Sequence, residues 1–363
     1  MSKDVVQPLA EVVTSGFIGQ GPKVEEFESL LCDYFDNPYC VTLNSATSGL
    51  TLAYRLLGLQ AGDEVLTPAL TCTATNWPIL ANGAKIKWLD VDPDTCNVDL
   101  NDLRNKISEK TRAICVVHWG GYPLDLDELS NIQKEAYEKF GNLIPIIEDC
   151  AHSMGSEYKN KKLGNHGNIC VYSFQAIKHF TTGDGGVMIL PNKNLYERAK
   201  LLRWYGIDRN TNKKDFRCEE DVPEWGYKYH MNDINATIGI HNFPLFLERG
   251  KKYTENSKYY DEQLKNTQGV TVLAKQKDRK SASWIHTIKV ENRDSFMELM
   301  KEKGIMVSRV HERNDIHSCV SDFKAPLPNL EKLCEEMICI PNGWWVTEED
   351  REYITGSIKE GWQ

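Results

Sequence analysis

The chain has 363 residues, of which 41% are hydrophobic and 10% aromatic, and it carries a formal net charge of -9 from 43 Lys and Arg against 52 Asp and Glu. That composition supports a large packed core, and an acidic chain without a Lys/Arg-rich block lacks the electrostatic footprint of a nucleic-acid binder. No run approaches the ~18 apolar residues of a membrane span, no secretory signal is read in the opening MSKDVVQPLAEVV, and eleven scattered cysteines without a CxxC pair point away from a disulfide framework or zinc ribbon and toward a reducing cytoplasm.

The first informative segment is NSATSG, where small residues Asn44–Ser48 precede an amphipathic helix predicted over 48–57. Free N–H groups at such a helix start, with the hydroxyls of Ser45 and Thr47, suit a phosphate; the same residues equally make an ordinary helix cap. Short β-rich runs follow at 64–67, 85–89, 113–117, 144–148, 169–174 and 186–190, with a helix over 126–140. This alternation predicts an α/β sheet with crossover helices. Ligands of such sheets gather at the carboxyl ends of the strands.

Two of these strand ends carry chemistry. IPIIED (144–149) runs an apolar strand into Glu148 and Asp149, which alternation turns in different directions. One acid so placed faces a ligand, unless it serves as a cap or turn residue. In VYSFQAIKHFTTGDGG the strand is read to end at Phe174, and Lys178 follows in a short loop before a Gly-rich turn. A lysine between two apolar strands loses its proton more easily than a surface lysine and is able to form a Schiff base with an aldehyde cofactor. No GxxxxGK[ST] motif occurs, which weakens a nucleoside-triphosphatase reading.

Beyond 190 the pattern changes. Residues 210–223 are polar and charged and are expected to form a mobile loop. A long helix is predicted over 234–256, bent or restarted near Pro244, then a helix over 257–265. Strands near 270–273 and 286–290, a charged helix over 293–303, a strand near 306–310 and a helix after Thr347 complete the chain. These elements suggest a large α/β domain over 1–245 and a smaller α+β domain over 246–363.

Taken in order, SGFIGQGPKVEEFE, NSATSG, GDEVLTP, DVDPDT, EDCAHSMGSEYKNKKLGNHG, SFQAIK, TTGDGG, GYKYHMND and IPNGWW give the chain a resemblance to the DegT-type sugar aminotransferases, a branch of the fold-type I pyridoxal-phosphate enzymes. The resemblance implies a mostly parallel seven-stranded sheet between helices in the large domain. It implies that Lys178 forms the internal aldimine and moves the proton, and that Asp149 pairs with the pyridine nitrogen so that the ring stays an electron sink. His152 is placed near the phenolic oxygen, and Ala46, Thr47 and Ser173 at the phosphate. Cys72 stands where many relatives stack an aromatic residue on the ring. In GYKYHMND, Lys228 stands where an asparagine reaches the neighbouring subunit's phosphate, His230 replaces an arginine, and either Lys228 or Asn232 makes that contact. A lysine at 178, where related sugar 3-dehydratases have histidine, implies an aminotransferase; His179 beside it reads as a packing or hydrogen-bonding residue.

By the same resemblance, the donor is L-glutamate and the acceptor a nucleotide-linked 4-keto-6-deoxyhexose. The cofactor passes through its pyridoxamine 5'-phosphate form in a homodimer with shared sites. Trp284, Arg309, His311 and Arg313 are candidates for substrate binding. Arg309 or Arg313 suits a pyrophosphate or a donor carboxylate, and His311 resembles a family histidine near the sugar. Each also reads as a surface or interdomain contact. Trp344 and Trp345 are expected in a core or interface. The alternatives are a small phosphorylated ketone as acceptor, or a regulatory protein that binds the cofactor without turnover.

Overall fold

The computed structural model describes residues 1–209 and 221–362. Its centre is a seven-stranded sheet in the order Cys40–Leu43, Gly186–Ile189, Ile169–Ser173, Ile146–Asp149, Thr111–Val117, Glu64–Pro68, Lys85–Leu89. Gly186–Ile189 runs antiparallel to both neighbours, and the five strands from Ile169–Ser173 to Lys85–Leu89 are parallel. Both faces of the sheet are covered. Val41, Val65, Cys115, Ile147 and Val171 pack under the helix Ala46–Leu56, while Leu66, Ile114, Val116, Ile146 and Tyr172 pack on the other face with helices Pro22–Phe35 and Leu126–Phe140. Two buried faces explain why these strands read as continuous apolar runs rather than as alternating ones.

The six strands expected from the sequence form within a residue or two of their predicted ends. Cys40–Leu43 was not anticipated; its four residues at the sheet edge are all buried and show no alternation. The strand expected near 306–310 does not form. Only Ser308 bridges to Cys339, and Val310 adopts φ 66°, a conformation that takes a β-branched residue out of a strand. Its place is taken by Met337–Ile340, which pairs with His286–Val290 and, beyond it, Val270–Val272 in a three-stranded sheet.

The two helices expected over 234–256 and 257–265 are one, Asp233–Leu264, which continues through Pro244. Proline removes one helix hydrogen bond, but Phe243 and Phe246 on either side are buried in the core and hold the turn in place. The loop reading of 210–223 falls mainly on 210–220, outside the described residues. Asp233 also ties the long helix to the chain's beginning. Its carboxylate accepts the N–H groups of Gly21, Lys23 and Val24 at 2.8, 3.3 and 3.1 Å, at the start of Pro22–Phe35. No described helix is long and apolar enough to cross a membrane.

Two glycines set how closely the helix Ala46–Leu56 approaches the sheet. A Cβ on Gly49 would lie 2.8 Å from Val171 Cγ1, and one on Gly186 would lie 2.6 Å from the Tyr172 carbonyl oxygen and 2.8 Å from the Ala46 nitrogen. Backbone cannot yield as a flexible side chain does. Gly186→Ala is therefore expected to cost about 1–3 kcal/mol, read as a lowered midpoint in urea denaturation at unchanged slope.

Candidate active site

The carboxyl ends of the central strands converge with the start of Ala46–Leu56. Ser45 caps that helix, its Oγ accepting the Ser48 N–H at 3.1 Å. The first helical N–H groups, those of Ala46 and Thr47, have no carbonyl within the helix to bond. Ser173 pairs in register with Gly186, the glycine pressed against the Ala46 nitrogen. Ser173 is thereby brought to the same helix start, where its Oγ accepts the Gln175 N–H at 3.3 Å. Ala46 is buried and Thr47 exposed.

Asp149 ends its strand at 4% exposure. One carboxylate oxygen accepts from the Thr75 hydroxyl at 2.7 Å, the other from the Ala151 N–H at 3.0 Å, and Thr75 lies 2.7 Å from the Thr71 hydroxyl. Burial pushes the Asp149 pKa up, and the Thr75 and Ala151 bonds with the nearby Lys178 charge oppose it. Glu148 faces the other side of the sheet, bonded to His118 Nε2 at 2.8 Å and to Asn168 Nδ2 at 2.7 Å. His118 Nδ1 accepts the Leu124 N–H at 3.0 Å, so Nε2 carries the proton and donates it to Glu148. His118, Glu148 and Cys150 hold atoms close enough to share a metal ion, but both imidazole nitrogens are already engaged within the protein.

Lys178 reaches back over an indole. Its Nζ lies 3.5 Å from the Trp284 ring centroid, and Trp284 is itself fixed by a 3.2 Å bond from Nε1 to the Ile177 carbonyl. Burial holds the Lys178 pKa down to about 8, against the opposing pull of Asp149 and Cys72. Cys72 sits half-buried at the start of helix Thr73–Ala81. His152, 3% exposed, packs against Trp284 at 4.2 Å between ring centroids and lies 5.7 Å from the parallel ring of His311, with Trp119 edge-on to both. Burial, and then the Lys178 charge, push His152 well below its ordinary pKa and His311 to about 4. Both rings are therefore neutral at pH 7. Among the described residues, His152 Nδ1 and His311 Nε2 have no hydrogen-bond partner, which leaves both able to bond a ligand's polar groups. His179 instead bonds the Met154 carbonyl at 2.6 Å and packs against Phe246 and Tyr253.

The other sequence candidates lie as follows. Lys228 is exposed, and its carbonyl accepts Asn44 Nδ2 at 3.3 Å. Asn232 Oδ1 accepts the Asn235 N–H at 2.9 Å and caps the long helix. His230 packs on Trp204 at 3.8 Å, its pKa lowered by burial to about 4. Arg309 pairs with Glu312 at 2.5 Å, and Arg313 makes two bonds to Asp315, at 2.8 and 2.6 Å. Trp344 and Trp345 are not core residues: they are 44% and 56% exposed. Thr71, Thr75 and Trp119 escaped the sequence reading.

The fold, with a cleft bearing a near-neutral amine at the carboxyl edge of a mostly parallel sheet, is that of an aminotransferase. The chain belongs to the DegT/DnrJ/EryC1/StrS aminotransferase family, whose model it matches over residues 1–359. It is 32% identical to a UDP-4-amino-4-deoxy-L-arabinose–oxoglutarate aminotransferase from Shewanella sediminis, covering 98% of this chain and 94% of that one. Among solved structures, the sugar aminotransferase CalS13 from Micromonospora echinospora superposes with a TM-score of 0.97 at 43% identity, covering 100% of this chain and 98% of CalS13. Spr1654 from Streptococcus pneumoniae, 26% identical, covers 99% of this chain and 96% of its own, and has been solved in a PLP-form and a PMP-form with TM-scores of 0.90 and 0.91.

The Lys178 environment is directly measurable. Its free-amine fraction should rise through pH ~8, whereas an exposed lysine titrates near ~10.4. Reductive methylation with formaldehyde, mapped by peptide mass spectrometry across pH, is expected to show that early midpoint at Lys178; a midpoint near 10 would contradict it. The folded chain sheds this proton near pH 8 and the unfolded chain near 10.5, so the group's contribution to stability rises with pH across that window.

Proposed function

We propose that the chain is a pyridoxal-phosphate-dependent aminotransferase that moves an amino group from L-glutamate to a nucleotide-linked keto sugar of the 4-keto-6-deoxyhexose class. The observation that carries this is Lys178, a half-buried amine held near pH 8 and electrostatically coupled to the buried carboxylate of Asp149. The name of the Shewanella relative supports 2-oxoglutarate as the keto acid of the donor half, and so L-glutamate as donor. The PLP- and PMP-forms of Spr1654 support the cofactor.

The residues fit the cofactor. The N–H groups of Ala46 and Thr47 with the Ser173 hydroxyl would hold its phosphate, and Asp149, steadied by Thr75 and Ala151, the proton of its ring nitrogen. His152, whose Nδ1 is unpartnered among the described residues, would face its phenolic oxygen, and Cys72 would border the ring. When bound, pyridoxal phosphate supplies an aldehyde for amines and a ring that stores an electron pair released at carbon.

What the chain's own residues do follows from their environments. Lys178, largely desolvated over Trp284, is near its free-base range and takes and returns the proton at the reacting carbon. Neutral His152 and His311 do not compete with it for charge. Trp284 and His311 line the acceptor side, and Arg309 and Arg313 reach a substrate anion only by giving up their pairing with Glu312 and Asp315. Because the same lysine serves both halves, ping-pong kinetics are expected. Lys228, exposed and cationic, is read as the reach to the phosphate of a partner subunit in a homodimer, with Asn232, whose cap engages only Oδ1, as the alternative donor through Nδ2. The free described cysteines fit a reducing cytoplasm.

Protein purified with pyridoxal phosphate is expected to release 2-oxoglutarate from L-glutamate and then aminate a member of a panel of nucleotide keto sugars, identified by mass spectrometry. Lys178→Ala should lower turnover by about 10²–10⁴-fold or more; release of 2-oxoglutarate at the wild-type rate would sink the assignment. Asp149→Asn keeps the size and removes the charge. It is expected to lower kcat by about 10²–10³-fold while its melting temperature stays near that of the wild type.

A further inference from the structure

Trp284 reaches the site on a backbone segment, 281–284, that is fixed peptide by peptide. The Ala282 N–H donates to Ser156 Oγ at 3.1 Å, and the Ser156 hydroxyl donates on to the Gly121 carbonyl at 2.6 Å. The Trp284 N–H donates to the Gly120 carbonyl at 2.9 Å. Between them stands Ser283, buried, with φ 52°. A residue with a Cβ rarely adopts that left-handed conformation, and it persists where the surrounding bonds enforce it. One of those bonds comes from far along the chain. Asn342 Nδ2, buried after strand Met337–Ile340, donates to the Ser283 carbonyl at 2.6 Å and to the Tyr253 carbonyl of the long helix at 3.3 Å.

This turn decides where an indole goes. The Trp284 ring centroid lies 3.5 Å from Lys178 Nζ, and Trp284 Nε1 returns to the Ile177 carbonyl at 3.2 Å. A route of bonds thus runs from Asn342 through Ser283 and Trp284 to the Lys178 loop. Asp149 and Cys72 favour the charged form of the amine and burial opposes them, while His152, His179 and His311 stay neutral around it. The indole is one wall of that burial. If it turns away, water reaches Nζ. The cation–π contact is lost as well, which works in the opposite direction, but burial moves the pKa of a lysine further than one aromatic contact does.

We propose that Asn342 is a positioning residue for Lys178: by gripping the Ser283 carbonyl it sets the left-handed turn that lays the Trp284 indole against the amine and shuts water out on that side. The proposal rests on the reading of Lys178 as the reacting amine and adds to it the residue that places its cover.

The test is the pH dependence of reductive methylation at Lys178, mapped by peptide mass spectrometry in the full chain, with the melting temperature as the check on folding. The wild-type midpoint is expected near pH 8. Asn342→Leu keeps the size and removes the donor; it should raise the midpoint by about one pH unit, toward the ~10.4 of an exposed lysine. Asn342→Ser is short enough to admit a water that donates in place of Nδ2, and should raise it part of the way. Asn256→Leu is the comparison. Asn256 is equally buried and donates to the carbonyls of Gly343 and Val346, both at 3.1 Å, on the same segment as Asn342. Its loss should lower the melting temperature and leave the Lys178 midpoint where it is in the wild type. A folded Asn342→Leu with the wild-type midpoint overturns the proposal; if that variant does not fold, an unshifted Asn342→Ser does so. An Asn256→Leu midpoint raised as far as that of the Asn342 variants also overturns it, because general loosening then accounts for the shift. If the wild type itself titrates near 10, the reading of Lys178 fails and takes the proposal with it.

Discussion

Two successive carboxylates at the end of one central strand, both shut away from water, govern how the rest of this molecule is arranged. A buried carboxylate without hydrogen-bond donors costs several kcal/mol, and strand alternation forbids Glu148 and Asp149 from sharing donors. The protein supplies a separate set on each face. Glu148 takes His118 and Asn168; Asp149 takes Thr75 and Ala151. These demands reach outward. His118 must keep Nδ1 free for the Leu124 N–H, which fixes the turn before helix Leu126–Phe140. Thr75 must lie in the first turn of Thr73–Ala81, which fixes that helix against the sheet. The functional face and the supporting face are two sides of the same strand.

On the functional face, burial does the electrostatic tuning. Lys178 is pushed toward its free base because water is scarce around it, and Asp149 restrains the shift. The same scarcity keeps His152 and His311 neutral. One general base among neutral rings is a simpler device than a set of competing titrating groups, and it leaves the imidazole nitrogens free to act as directional donors and acceptors. The aromatic walls of Trp119 and Trp284 maintain the dryness on which all three pKa values depend.

Much of this was legible in the residues. An apolar run ending in Glu148–Asp149, and another read to end at Phe174 shortly before Lys178, sufficed to locate the carboxyl edge of the sheet. The failures have physical causes. Cys40–Leu43 and Met337–Ile340 are buried at every residue, so no alternation marks them, and a continuous apolar run is not told from a buried helix segment by periodicity. The helix break expected at Pro244 assumed that a lost hydrogen bond ends a helix; tertiary burial of Phe243 and Phe246 outweighed it. Thr75 was invisible because its role is to satisfy a carboxylate 74 residues away. Of the core or interface expected for Trp344 and Trp345, the core half fails, because Asn256 and Asn342 hold their segment at the surface.

The carboxylate of Asp233 has a consequence for how the chain comes to be folded. It accepts the first N–H groups of Pro22–Phe35 while standing in the first turn of Asp233–Leu264, so one negative charge serves the positive ends of two helices. These ends lie 212 residues apart in sequence at the Gly21 contact. On a ribosome adding roughly 5–20 residues per second, the amino-terminal helix emerges long before its cap exists. Its final docking is thus a late event in synthesis, and the large sheet's outer layer closes only when the long helix has been made.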